Sequence, residues 1–247
     1  MGQIKFIIEL AKSERRERGA GFILGRTWDY LQTIFYILIL SSAIVWGVRE
    51  SFSPKDWFEQ TSGLLAWFFF NEVITHSLLS IKERSYFLKK FNVPYWVFPF
   101  AKALIAFEKH FIFLFLLIVY QVVINGPDLN LLLLLCLPVT LFLFSFYTAL
   151  VIAPLATVFK DITPLTSHAL QIMFWMSPII WTDYPNNLFF KIVEYLPTSL
   201  IVDLYQTPEF NSSNLIKLSI FLVWLGGFGV LSTCFYYKTK LKIADFL

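Results

Sequence analysis

Charge is scarce in this chain. Of its 247 residues, 15% are Asp, Glu, Lys or Arg, against about 25% in an ordinary soluble domain. That excludes a surface hydrated on every side. Cysteine is nearly absent: Cys136 and Cys234 both lie within apolar runs, so neither a disulfide framework nor a metal-ligand spacing is present. The three histidines, His76, His110 and His168, are scattered, and no nucleophile stands near a base. No catalytic, cofactor-binding or metal-binding residue is therefore expected. The chain also lacks any G-x-x-x-x-G-K-[ST] stretch, so it has no loop to cradle ATP phosphates. Gly226-Gly227-Phe228-Gly229 has no lysine and sits inside an apolar run, as a packing feature. If this protein moves cargo uphill, the energy comes from a gradient or from a partner.

What is present is apolar and aromatic. The chain is 57% hydrophobic, with 28 Phe and 8 Trp. Several runs reach the roughly 20 residues needed to cross a bilayer. The sequence predicts an all-α integral membrane protein of six transmembrane helices, at about 31–48, 61–81, 109–125, 131–153, 163–182 and 216–237. Each satisfies its backbone groups internally as a helix. Pro138 and Pro178 are expected to bend their spans, because each removes a donor. Ahead of the membrane domain (31–247), residues 1–30 place charges before any long apolar run, which is not the order of a secretory signal. Ile4, Ile7, Ile8 and Ala11 recur at helical spacing opposite Lys5, Glu9 and Lys12. The pattern fits an interfacial amphipathic helix broken near Gly19 and Gly21. A positively charged flank that only sets orientation is the plainer reading.

Lys and Arg set the orientation. With both termini inside, sixteen of the 20 basic residues fall on the inner side; the four outside are Arg49, Lys55, Lys191 and Lys217. The acids split evenly, with Glu72 in the membrane. Both termini are thus expected in the cytoplasm, and Lys160-Asp161 in a short inner turn.

Three regions carry candidate function. The inner loop 82–109 mixes Lys89 and Lys90 with Tyr86, Phe87, Phe91, Tyr95, Trp96 and Phe98. A simple connector needs few aromatics. A short helix stopping near Asn92, ahead of Pro94, would use these rings to dock a partner; interfacial anchoring gives the same composition. In the second span, Glu72 and His76 lie one turn apart. They are polar lining of a pathway, a mutual pair, or, least in keeping with so few ionisable groups, a proton relay. The outer segment 183–214 holds two apolar halves divided at Pro197, each too short to span. They fit re-entrant helices covered by protein, or helices lying on the surface. Asn211-Ser212-Ser213 matches a glycosylation pattern of a size that arises by chance.

Three stretches resemble the permease subunits of ABC-2-type exporters, closest to the bacterial branch that exports O-antigen, capsule or teichoic acid chains. They are Leu88-Lys89-Lys90-Phe91-Asn92-Val93-Pro94, Phe159-Lys160-Asp161-Ile162 and Phe174-Trp175-Met176-Ser177-Pro178-Ile179. Their order relative to the spans carries the resemblance over nearly the whole chain. One stretch departs. Where that family commonly has Asn-Pro and then a Tyr-Arg pair in the outer return, this chain has Leu196-Pro197 and Leu204-Tyr205-Gln206.

The resemblance implies a bacterial inner-membrane permease without its own ATPase site, working as a homodimer above two copies of a cytoplasmic ABC ATPase that bind ATP and Mg. Its cargo would be a lipid-linked glycan, and nucleic acid is not expected as a partner. Tyr86, Phe87, Lys89, Lys90, Phe91, Pro94, Tyr95 and Trp96 would form the ATPase-coupling region, and Lys160 and Asp161 an inner rim; a plain solvated turn is the alternative for that pair. Trp67, Phe68, Phe69, Phe70, Glu72, His76, Phe142, Phe144, Tyr147, Phe174, Trp175 and Pro178 are candidates for the channel lining, though lipid-facing rings give the same composition. His168 packs between helices or lines the pore, and Pro197 and Tyr205 belong to the outer return. Export of another amphiphile, or a scaffold without transport, are the alternatives.

Overall fold

The computed structural model describes residues 3–21, 23–25, 27–48, 53–91, 93–126, 131–181 and 187–243. Among them every extended regular element is an α-helix. In chain order these are α1 (Gln3–Gly19), α2 (Thr27–Val48), α3 (Pro54–Ser77), α4 (Ser80–Glu83), α5 (Ser85–Phe91), α6 (Val97–Asn125), α7 (Leu131–Val158), α8 (Ile162–Met176), α9 (Leu188–Glu194), α10 (Pro197–Gln206) and α11 (Ser212–Thr239). Four helices among the described residues are long and apolar enough to cross a membrane: Thr27–Gly47, Val97–Ile124, Leu133–Val158 and Ser212–Thr239. The sequence reading expected six. α3 has the length, at 24 residues, but carries Lys55, Asp56, Glu59 and Glu72. α8, at 15 residues, falls short of the roughly 20 a bilayer requires.

α3 is the axis of the fold. Ser53 caps it by accepting from Asp56 N at 3.1 Å, and Pro54 sits where a helix can lack an N–H. Residues Gln60 through Trp67 are all buried, which happens only when a helix is enclosed on every side. α2, α6, α7 and α10 pack around it. Gly63 permits the closest approach: a Cβ there would lie 2.8 Å from the Gln206 side chain of α10. α10 itself is buried from Pro197 to Val202 and again from Leu204 to Gln206. α9 differs: Leu188, Phe189 and Ile192 are exposed and Val193 is buried. Asn211 caps α11 and Asn214 donates to the carbonyls of Thr207 and Glu209, closing the α10–α11 link. The glycosylation-like Asn211 is therefore a helix cap.

Two expected boundaries are corrected. The inner loop 82–109 is not one loop, because α6 begins at Val97 and runs unbroken to Asn125. Its charges resembled a connector only because their partners are distant in sequence: Lys102 meets Glu14 and Glu83, and Lys109 meets Asp29 and Glu72. The fifth expected span is α8, which ends at Met176 instead of bending at Pro178 within 163–182; Thr182 lies outside the described residues. Ser177, forced out of the helical region by the proline behind it, is extended (φ −76°, ψ 158°). Pro138, by contrast, sits inside a continuous α7, together with Pro154.

The expected apolar stripe of the N-terminal helix is split. α1 turns Ile7 and Leu10 into a cluster with Ile81, Leu88, Tyr95 and Phe98, buries Ala11, and leaves Ile8 exposed. Its buried stripe thus rests on protein. The side chains of Ile4 and Lys5 lie outside the described set. The helix ends at Gly19 and Gly21 follows at φ 88°, a conformation suited to glycine.

Candidate functional site

A groove opens between α2, α3, α6 and α8. Its wider part is lined by Tyr36, Trp67, Phe68, Asn71, Thr75, Ser167, Gln171, Phe174 and Trp175 and holds about 430 Å³. A neighbouring part of about 400 Å³ shares Tyr36, Phe68, Asn71 and Thr75, and adds Asp29, Gln32, Thr33, Glu72, His76 and Lys109. Such volumes fall within the range of small-molecule sites. Aromatic pairs bridge the helices: Tyr36 meets Phe68 edge-on at 5.2 Å, and Trp67 lies 5.7 Å from Phe174. Between these rings stand amides and hydroxyls, a mixture that meets both faces of a sugar or another amphiphile.

Lys109 anchors the charged part. It is 4% exposed, and its ammonium lies 2.8 Å from Glu72, 3.4 Å from Asp29 and 3.1 Å from the Thr33 hydroxyl. A buried cation requires such partners, since an unpaired one would cost several kcal/mol, on the order of its desolvation penalty. Glu72 lines this part of the groove, and its carboxylate pairs with Lys109.

The structure divides the remaining candidates. Trp67, Phe68, Glu72, His76, Phe174 and Trp175 come together on the groove. Phe69 and Phe70 point into the core, the first onto His110, the second stacked on Phe144. Phe142 packs on Phe100 and Phe107, and Tyr147 lies on Phe146 and against Gly229. These rings hold helices together instead of lining the groove. His168 is exposed on α8, off the groove. Asp29, Tyr36, Asn71, Thr75, Lys109, Ser167 and Gln171 were missed. A signal existed for some: Phe68, Asn71, Glu72, Thr75 and His76 recur at helical spacing, as do Ser167, Gln171 and Phe174.

Beyond Pro178 the chain is tied by side chains. Four carbonyls around the end of α8 receive donors: Phe174 O from Ser177 Oγ (2.7 Å), Trp175 O from Trp181 Nε1 (2.9 Å), Pro178 O from Gln206 Nε2 (3.1 Å) and Ile179 O from Gln60 Nε2 (2.6 Å). The first two are among the last four carbonyls of α8, which every helix end leaves without an intrahelical donor; the other two belong to the extended segment just beyond it. Pro197 starts α10, and the buried Tyr205 hydroxyl is 2.9 Å from His110 Nε2.

At the opposite end of α3 the contacts are ionic. Glu14 of α1 is 2% exposed between Lys102 (3.2 Å) and Arg84 (3.8 Å). Arg84 also bonds Glu17 at 2.6 Å, Lys102 bonds Glu83 at 3.1 Å, and Arg15 pairs with Glu108. The Arg84 hydrogen bond holds the Glu17 carboxyl below its ordinary range, and Arg84 is correspondingly raised. Next to this knot, α5 presents Tyr86, Lys89, Lys90 and Phe91 outward, with Phe87, Pro94 and Trp96 half-buried. Lys90 Nζ donates to the Tyr86 hydroxyl at 2.6 Å and lies over the Tyr86 ring. Tyr95 is different: 2% exposed, hydrogen-bonded to Thr239 and stacked near Tyr236, with burial pushing its phenol up to about 12. It lies beneath the outward side chains of α5, not among them. α5 ends at Phe91, and Asn92 lies outside the described residues. Lys160 and Asp161 are both exposed in the α7–α8 turn.

Two comparisons bear on these arrangements. The family described as ABC-2 type transporter matches residues 7–210. The chain is also similar to the O-antigen export system permease protein of Klebsiella pneumoniae, at 21% identity over 247 residues, covering 98% of this chain and 94% of that protein.

Proposed function

The chain belongs to the ABC-2 type transporter family, and from that premise we propose that it is the membrane permease of an ATP-driven exporter of a lipid-linked polysaccharide. The observation that carries this reading is the groove, where Tyr36, Trp67, Phe68 and Phe174 alternate with Asn71, Thr75, Ser167 and Gln171. Rings stack on the apolar faces of sugars while amides and hydroxyls exchange hydrogen bonds with their hydroxyls. An exclusively apolar cargo would leave those polar groups unanswered. The O-antigen export function named for the Klebsiella relative points the same way.

In this reading six helices cross the inner membrane of a bacterium: α2, α3, α6, α7, α8 and α11. α9 and α10 return into the outer leaflet, and both termini are cytoplasmic. α8 serves despite its length because the chain continues outward through Pro178 and Ile179, whose carbonyls take donors from α10 and α3. The exposed rings and ammonium groups of Tyr86, Lys89, Lys90 and Phe91 dock a separate ATPase, which holds ATP and Mg and supplies the force. Two copies of the chain and two of the ATPase make the working unit. Lys160 and Asp161 form a polar rim at the inner turn.

The test is a chromosomal deletion of the chain in its own host, with surface glycan followed by radiolabelled sugar. Surface glycan is expected to disappear and labelled lipid-linked glycan to accumulate inside, with recovery when the chain is restored. Unchanged surface glycan, with a different amphiphile retained in the deletion strain, overturns the cargo and favours export of that amphiphile. Flux in purified vesicles without an ATPase overturns the energy source.

A further inference from the structure

Lys82, Glu83 and Arg84 are consecutive, and each reaches a different helix. Lys82 Nζ donates to Ala156 O, in the last turn of α7, at 3.0 Å. Glu83 accepts from Lys102 of α6 at 3.1 Å. Arg84 donates to Glu17 of α1 at 2.6 Å. The next residue, Ser85, begins α5 and its outward rings and ammonium groups. The outward face of the protein thus hangs directly from a three-way junction.

The Lys82 branch has a particular destination. Ala156 O is one of the last four carbonyls of α7, which have no donor within the helix, and the negative end of a helix dipole favours a cation there. Two residues beyond Ala156, α7 ends at Val158; the chain then turns through Lys160-Asp161 and enters α8 at Ile162. α8 contributes Ser167, Gln171 and Phe174 to the groove wall. The Glu83 and Arg84 branches lead to α6 and α1, whereas the Lys82 branch leads to the wall formed by α8.

We infer that Lys82 is the positioning residue through which movement of α5 reaches the α8 wall of the groove. This rests on the proposed docking of an ATPase at α5. Lys82 touches neither cargo nor nucleotide in this scheme. It holds the end of α7 to the segment that the ATPase moves, so that α5 and the α7–α8 turn shift together. Removing its ammonium frees the turn while leaving the α1 ion pairs and the outward face of α5 in place.

The experiment compares wild type, Lys82→Met and Lys82→Arg, each assembled with its ATPase in proteoliposomes carrying lipid-linked glycan. ATP hydrolysed and glycan translocated are measured in the same samples. Lys82→Met is expected to keep ATPase binding and hydrolysis while glycan moved per ATP falls about 10-fold. Lys82→Arg restores most of that ratio, because a guanidinium reaches the same carbonyl. A ratio in Lys82→Met equal to wild type overturns the inference. A second readout labels Ser167→Cys in a background with Cys136 and Cys234 replaced by serine. An ATP analogue changes its labelling rate in wild type and in Lys82→Arg but not in Lys82→Met; the same change in all three overturns the link. If Lys82→Met does not assemble, Lys82→Gln is read the same way. The labelling readout holds even for a complex that moves no glycan, an outcome that overturns the proposed cargo and not the Lys82 connection.

Discussion

At one end of α3 the neighbouring helices are joined by a network of ions; at the other, amides and hydroxyls make most of the contacts, beside a single ion pair, Lys217 with Asp203, between α10 and α11. Glu14, Glu17, Glu83, Arg84 and Lys102 tie α1 to the α4–α6 region. Gln60, Gln206, Tyr205 and His110 tie α10 and the end of α8 to α3 and α6. The difference follows from what each end must do. The pairs that border water, such as Arg84 with the largely exposed Glu17, exchange partners at modest cost, because solvent compensates each broken contact, whereas the buried Glu14 has no substitute for its cations. Neutral hydrogen bonds in a dry interior have no such substitute, so each loss leaves an unanswered group. The rim of the ionic end is thus cheap to rearrange, whereas its buried Glu14 and the amide contacts at the other end are not.

The sharpest way to break this comparison is at Glu14. Lys102→Met leaves a buried carboxylate with Arg84 at 3.8 Å, and the loss expected on removing one partner of a buried pair is about 3–5 kcal/mol. Thermal melting in detergent should show it, and Glu14→Gln combined with Lys102→Met should recover much of it. A double variant as unstable as the single would show that the charge imbalance is not the cause. Next comes Gly63→Val. Its new methyls press on Gln206, and overpacking of this kind costs about 1–3 kcal/mol. The effect should fall to a few tenths in a Gln206→Ala background; undiminished loss there would place the clash elsewhere.

Gln206→Leu alone strips a donor from Pro178 O, with an expected loss of about 1 kcal/mol or somewhat more. The same loss should appear at low and at high salt, and a strong salt dependence would contradict the neutral character of the Gln206 contact. The smallest effect is that of pH. Arg84 holds the Glu17 carboxyl below its ordinary value of 4.5. Its contribution is therefore complete above that value and lost as pH falls through the lowered one. Glu17 is largely exposed, so its share is small. Hydrogen exchange should quicken in α1 in that acidic window and stay unchanged in α10; simultaneous loosening of both would erase the distinction between the two ends.

How far the sequence revealed this arrangement depends on the range of each determinant. The end of α1 at its glycines, the stop of α5 before Pro94 and the absence of a phosphate-binding loop are local, and they are readable from adjacent residues. The start of α6 at Val97 was not. Lys102 and Lys109 look like loop charges until Glu14, Asp29 and Glu72 come alongside, 37 to 88 residues away in the chain. Phe68, Phe69 and Phe70 posed a different difficulty. Successive helix positions face different neighbours, but α3 is enclosed by apolar helices on most sides. Its pattern therefore carried little to separate the groove-lining Phe68 from the core residues beside it. In α8 the polar groove residues Ser167 and Gln171 are readable as a stripe only once Phe174 is known to share their face.

The donors just beyond the end of α8 also imply an order of manufacture. Gln60 is synthesised long before Pro178, but Gln206 follows it by 28 residues. In the six-span reading proposed above, the fifth hydrophobic segment reaches the bilayer before α10 has left the ribosome, with the Pro178 carbonyl waiting for its amide, an arrangement that hydrocarbon tolerates poorly. On that reading, the machinery that releases helices into the bilayer is expected to retain this one until the α10 sequence has arrived. Chains stalled with α8 clear of the ribosome and α10 still in its exit tunnel should crosslink to the insertion machinery through α8, and chains stalled after α10 has emerged should not.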